Sequence, residues 1–152
     1  MDVHIIDDDD STRLIYAKIA VNCGLSCASF SCPKDYLQKM THPGYQAPYC
    51  ILTDVEMPGL SGYELIKEVR KRLPYQRFIV TTSAPEKKEC CNSACLYFHK
   101  PVAKEKLRAA FQNISKCVEY GGHPECTKEK PCLLDDRSDF PIETWTCPFR
   151  SH

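Results

Sequence analysis

The sequence predicts an α/β protein: a parallel β-sheet with helices on both faces. Three observations carry this expectation. Short apolar runs of β-forming residues alternate five times with segments of helical period along residues 1–120. The run YCILTD at 49–54 is almost continuously apolar, as a strand buried on both faces should be. Acids, hydroxyls and a lysine recur where these runs stop, at 7–10, 54, 81–83 and 100.

The first strand is expected at 3–7, carried by Val3, Ile5 and Ile6. Residues 11–22 read as a helix with Leu14, Ile15 and Ile19 at helical spacing, closed by Gly24 at its C-terminal cap. A weak second strand at 25–30 follows. Pro33 suits a first helical turn and opens a helix through Tyr36, Leu37 and Met40, after which 42–48 is rich in turn residues. The strand at 49–54 precedes a helix over 61–72, where Ser61 and Glu64 have capping-box spacing and Leu65, Ile66, Val69 and Leu73 form the apolar stripe. Strands are expected at 77–82 (RFIVTT) and 95–99 (CLYFH), and the stretch between them, 85–94, is a poor helix candidate. The last helix spans 103–120, with Leu107, Phe111, Ile114 and Val118 on one stripe.

The expected domain is therefore 1–120, followed by an irregular Cys- and Pro-rich tail at 121–152. Four prolines break any long element there, yet Leu133, Leu134, Phe140, Ile142, Trp145 and Phe149 are too apolar for a solvated linker. The tail is expected to pack on the domain or on a partner.

Composition narrows the function. With 152 residues, 43% of them hydrophobic, the chain can bury one core and is not disordered overall. Twenty basic and twenty acidic side chains leave no positive excess for phosphate backbones, so no nucleic-acid partner is expected. No run approaches a membrane span, and the acidic start MDVHIIDDDD is unlike a signal peptide, which points to a cytoplasmic protein with no membrane partner. Without an export signal, the eleven cysteines read as packing thiols more readily than as a disulfide framework.

The chemistry lies at the strand ends. In a parallel sheet these gather along one edge, where ligands bind near the topological switch point. Clustered carboxylates repel unless a hard cation neutralises them, and Mg2+ (or Mn2+) suits such oxygen donors. An aspartate at a metal site can take a phosphoryl group as an aspartyl phosphate, with a lysine and a hydroxyl stabilising the transferred charge.

Asp54-Val-Glu-Met-Pro-Gly-Leu-Ser-Gly62 resembles the D-x-x-M-P-x-x-x-G stretch of two-component response-regulator receiver domains, with the acid pair Asp7-Asp8, a strand-four threonine and Lys100-Pro101 in matching places. The resemblance, which covers residues 1 to about 118, implies a flavodoxin-like fold of strand order 2-1-3-4-5. It implies Asp54 as phosphoacceptor, Asp8 as a direct Mg2+ ligand, Asp7 acting through water, and Glu56 lending its backbone carbonyl. Lys100 would pair with the phosphoryl oxygens across a cis Lys100–Pro101 bond. Thr82 would be the switch hydroxyl, with Thr81 as the alternative, and Tyr97 the switch aromatic that repacks inward. The implied donor is a sensor histidine kinase or a histidine phosphotransfer protein, and the implied output is contact with a downstream protein target. No turnover of an external metabolite is implied beyond self-phosphorylation and autodephosphorylation. Thr82 and Lys100 stand closer together than is usual for the family, which puts the output face built on the fourth helix in question.

Other readings use other residues. Asp8-Asp9-Asp10-Ser11-Thr12 fits the D-x-D-x-T of haloacid-dehalogenase-type phosphatases, with Asp8 as nucleophile, but leaves the Asp54 motif idle. A zinc site could draw on Cys117, His123, Cys126, Cys132 and Cys147, although no C-x-x-C pair occurs among them. A receiver-like scaffold without phosphorylation is the third.

Overall fold

Five strands and four helices make up the computed structural model over its described residues, 2–84 and 94–119. In chain order they are β1 Val3–Ile6, α1 Asp10–Asn22, β2 Cys27–Phe30, α2 Pro33–Lys39, β3 Cys50–Asp54, α3 Gly62–Arg70, β4 Arg77–Thr82, β5 Leu96–His99 and α4 Lys104–Glu119. All neighbouring strands are parallel, in the order β2-β1-β3-β4-β5. The expected fold is the observed one.

Side-chain alternation along each strand divides the core in two. Val3, Ile5, Leu52, Ile79 and Leu96 face α1 and α4, packing on Tyr16, Ile19, Leu107, Phe111 and Ile114. Ile6, Ile51, Phe78, Val80 and Tyr97 face the other way and pack with Tyr36, Leu65, Ile66 and Val69. A one-residue slip of any central strand would exchange these two sets, so burial on both sides pins the register. That register builds the edge. Ile6 pairs with Thr53, Asp54 with Thr81 and Thr82 with His99, which brings Asp7 and Asp54 to adjacent strand ends and Lys100 to the same edge across the end of β4. The chain leaves β1 for β2 on one side and returns to β3 on the other, so Asp7 and Asp54 flank the topological switch point.

Helix starts follow their caps. Asp9 caps α1 by accepting from the Thr12 amide at 2.8 Å, and Gly24 beyond its end takes φ +79°. Ser61 and Glu64 form a reciprocal capping box on α3. The apolar face of α1 departs from the expected one. Leu14 and Ile15 are 58% and 56% exposed, and the buried residues are Tyr16, Ile19 and Ala20. With this roll, Tyr16, Ile19 and Ala20 pack into the core, and the Arg13 guanidinium donates to the Asp7 carbonyl at 2.7 Å and pairs with Asp10. β2 starts later than expected, since Ser26 bonds Asp2 and Val3 and the Leu25 amide turns back to the Ala20 carbonyl. Among the described residues Cys50, Cys95 and Cys117 are buried, as packing cysteines are. No helix among the described residues is long and apolar enough to cross a membrane. The expected tail at 121–152 and most of the 85–94 stretch lie outside the described residues.

Candidate functional site

Asp7 closes β1 with its carboxylate at 0% exposure, while Asp8 projects into solvent. The Asp7 carboxylate accepts from the Asp9 amide at 2.9 Å and from Lys100 Nζ at 3.1 Å. Lys100 Nζ also lies 3.2 Å from Asp54 Oδ2, so one ammonium bridges two buried carboxylates. The Lys100 amide donates to the Thr82 carbonyl at 2.8 Å, which ties its backbone to the end of β4, and the Lys100–Pro101 bond is cis.

Asp7, Asp8 and Asp54 can each offer a carboxylate oxygen to a common point, these atoms lying within 4.8 Å of one another. Asp54 Oδ1 is buried without a hydrogen-bond partner. A buried, unpaired carboxylate oxygen beside two further carboxylates is a donor set for a hard divalent cation, and the residues fit Mg2+ or Mn2+. Burial pushes the Asp54 carboxyl up to about 6; Lys100 opposes that shift and the Asp7 charge adds to it. Burial works against the Lys100 ammonium too, but its hydrogen bond to Asp7 and the charges of Asp54 and Asp7 outweigh it and raise the group above its ordinary value.

The loop after β3 is shaped by its motif. Val55 N–H donates to the Thr81 carbonyl at 3.0 Å, and the Gly62 amide returns to the Val55 carbonyl at 3.1 Å. Met57 is buried in the second core cluster and anchors the turn. Gly59 takes φ +86°, which favours glycine. A Cβ on Gly62 would overlap the Asp54 carbonyl oxygen and stand 3.1 Å from Val55 Cα, so only glycine lets α3 start this close to the phosphoacceptor candidate.

Thr81 and Thr82 point to opposite sides of the sheet. Thr81 is fully buried beside Asp54, on the face of Tyr16. Thr82 donates its hydroxyl to the Glu56 carboxylate. The same carboxylate accepts from the Ser83 and Ala84 amides, each at 3.3 Å. Tyr97 is 8% exposed, its ring 6.5 Å from that of Tyr63, so it is already turned inward in this structure.

A family model for the response regulator receiver domain matches residues 3–112. The chain belongs to this family. As a receiver domain it is similar to the DNA-binding transcriptional regulator NtrC of Klebsiella pneumoniae, at 33% identity over 79 residues, or 52% of this chain and 16% of that protein. It is 38% identical over 132 residues to the transcriptional regulatory protein FixJ of Azorhizobium caulinodans, covering 84% of this chain and 61% of FixJ. The chain thus spans about a sixth of the one relative and about three fifths of the other. Among solved structures, chemotaxis response regulator CheY4 of Vibrio cholerae aligns with TM-score 0.65 and 25% identity, over 74% of this chain and 97% of CheY4. Full-length FixJ from B. japonicum aligns at 0.68 with 24% identity, over 79% of this chain and 60% of that one. Receiver domains are signalling domains of two-component systems and not classical enzymes.

The receiver fold therefore brings Asp7, Asp8, Asp54 and Lys100 into one basin and sets Glu56 and Thr82 at its rim. The D-x-D-x-T reading loses its geometry: Thr12 bonds Asp9, and Asp10 is turned out to Arg13. Of the expected zinc residues, Cys117 is buried near the C-terminal end of α4 and accepts from Arg77 Nε at 3.2 Å. His123, Cys126, Cys132 and Cys147 lie outside the described residues. One contributor escapes sequence reasoning, and the side-chain reach of another is not legible in it. Arg13, three residues after Asp10, supports the acidic loop through the Asp7 carbonyl, and that i, i+3 spacing was its available signal. The Glu56 side chain reaches β4 across the loop, which no local pattern announces.

Proposed function

We propose that this receiver domain accepts a phosphoryl group on Asp54 from a sensor histidine kinase or a histidine phosphotransfer protein. One observation carries the reading above the others: Lys100 bridges Asp54 and Asp7 while Asp54 Oδ1 is left without a partner in a buried carboxylate cluster. Asp7, Asp8 and Asp54 would hold Mg2+, with the Glu56 backbone carbonyl as a further oxygen; when bound, the ion neutralises charge on the transferred group.

The chain's own residues do the rest. An Asp54 carboxylate oxygen forms the new bond to phosphorus as the phosphorus–nitrogen bond to the donor imidazole breaks, and the imidazole leaves with that electron pair. Lys100, held cationic by Asp7, stabilises the developing negative charge. Thr82 and the following amides supply donors to the phosphoryl oxygens, and the two conformations shift in population by their different contacts with that group. Water returns the domain to its starting state by hydrolysing the acyl phosphate. Next to this basin, α1 exposes Leu14 and Ile15, an apolar surface suited to docking the donor's helices. Output would run through contact of the switched surface with a downstream protein target.

Intact-mass measurement after incubation with acetyl phosphate tests the proposal. Wild type should gain one phosphoryl group in a Mg2+-dependent manner and Asp54→Asn should gain none. Equal labelling of both would remove Asp54 from the role.

A further inference from the structure

The Glu56 carboxylate occupies the hydrogen-bond donors closest to the end of β4. Thr82 donates its hydroxyl to Oε1, the Ser83 amide donates to Oε2, and the Ala84 amide donates to Oε1. The Ala84 amide also reaches Thr82 Oγ1 at 3.1 Å, so hydroxyl, amides and carboxylate form one closed set. These groups follow directly on Thr81, the register partner of Asp54. A phosphoryl group on Asp54 would bring three acceptor oxygens and negative charge to a rim whose nearby donors are already held by an anion.

We infer that Glu56 is an internal competitor for the phosphoryl oxygens. It holds Thr82 and the Ser83 and Ala84 amides in the unphosphorylated domain, and the switch requires its displacement. The inference rests on the phosphoacceptor reading above. Beside its direct influence on the Asp54 carboxyl, Glu56 holds Thr82 as a positioning residue: it sets how much of the phosphoryl group's interaction with β4 is spent on freeing donors. Charge-assisted hydrogen bonds are the strong ones, so releasing this set reduces affinity for the transferred group by a measurable factor.

Titration with beryllofluoride and Mg2+, followed by the amide resonances of Ser83 and Ala84, tests this. Glu56→Ala should shift both resonances before any beryllofluoride is added, and should bind the mimic about tenfold more tightly, which is about 1.4 kcal/mol. In a Thr82→Ala background the same change should give a gain of less than about threefold, because the contested hydroxyl is gone. A gain below about threefold with Thr82 present, or one above about threefold that survives Thr82→Ala, overturns the inference; the second result would mean that Glu56 acts by charge repulsion alone. Glu56→Met keeps the side chain's length without an oxygen acceptor and carries the same test should Glu56→Ala not fold. Wild type that fails to bind beryllofluoride at all overturns the phosphoacceptor reading itself, and the inference with it.

Discussion

Replacing Asp54 by Asn should make the metal-free domain more stable at neutral pH. Asp54 is buried, and its carboxyl is raised from 3.8 to about 6 by desolvation, with Lys100 pulling it down and Asp7 and Glu56 pushing it up. A raised carboxyl means that the folded state prefers the protonated form. Below the unfolded value both states hold the proton and Asp54 contributes no difference. As pH rises from about 4 to about 6 the unfolded chain releases its proton before the folded one does, and wild type loses stability. Above about 6 the loss is complete. The shift of about two units corresponds to an upper limit of about 3 kcal/mol, and coupling to Lys100 places the expected gain for Asp54→Asn at about 1–3 kcal/mol. Urea unfolding without divalent cations, at about pH 7.5 and again below about pH 4, reads this directly. The gain should be present at the higher pH and vanish at the lower. Asp54→Asn that is less stable than wild type at neutral pH, or equally stabilised at both, would refute the assignment of desolvation as the dominant cause.

Lys100→Ala leaves two buried carboxylates without their shared cation, and urea unfolding at neutral pH should show a loss of about 2 kcal/mol that shrinks as the carboxylates protonate in acid. Gly62→Ala sets a methyl against the Asp54 carbonyl; thermal unfolding should register a loss of about 2 kcal/mol, and labelling by acetyl phosphate should fall with it. His4, buried among Phe30, Tyr36, Tyr45 and Lys39, bonds the Tyr36 hydroxyl at 2.9 Å and has its pKa lowered to about 4, first by burial and then by the N-terminus and Lys39. Above about 6.5 the group is neutral in both states. Its contribution to stability is lost as pH falls from there to about 4, by up to about 3 kcal/mol, and His4→Gln should flatten that part of a pH–stability curve.

Much of this molecule can be read from its sequence, for physical reasons. Strands buried on both faces carry long apolar runs, so β3 and β4 stand out, and the β–α alternation leaves few topologies. The Asp54 to Gly62 segment is legible because each of its special residues answers a local demand: Met57 fills the core, Gly59 takes a left-handed φ, and Gly62 yields space to a carbonyl. The roll of α1 is not legible in that way. Leu14, Ile15, Tyr16 and Ile19 offer two apolar faces, and the observed one goes with Arg13 reaching back to Asp7, a contact between side chain and backbone that periodicity does not encode. Glu56 belongs to the same class. Its position in sequence marks it as a neighbour of Asp54, but its hold on Thr82 depends on where two loops meet. The inward Tyr97 likewise reflects packing against Tyr63, on a different element.

The most direct test of the account is to locate the modified residue. Wild type treated with acetyl phosphate and Mg2+, then reduced with borohydride, converts an aspartyl phosphate into homoserine that peptide mass spectrometry can place. Homoserine at position 54, lost on omitting Mg2+, is the predicted result. Homoserine at position 7 or 8, or none at all from a folded protein, would contradict it.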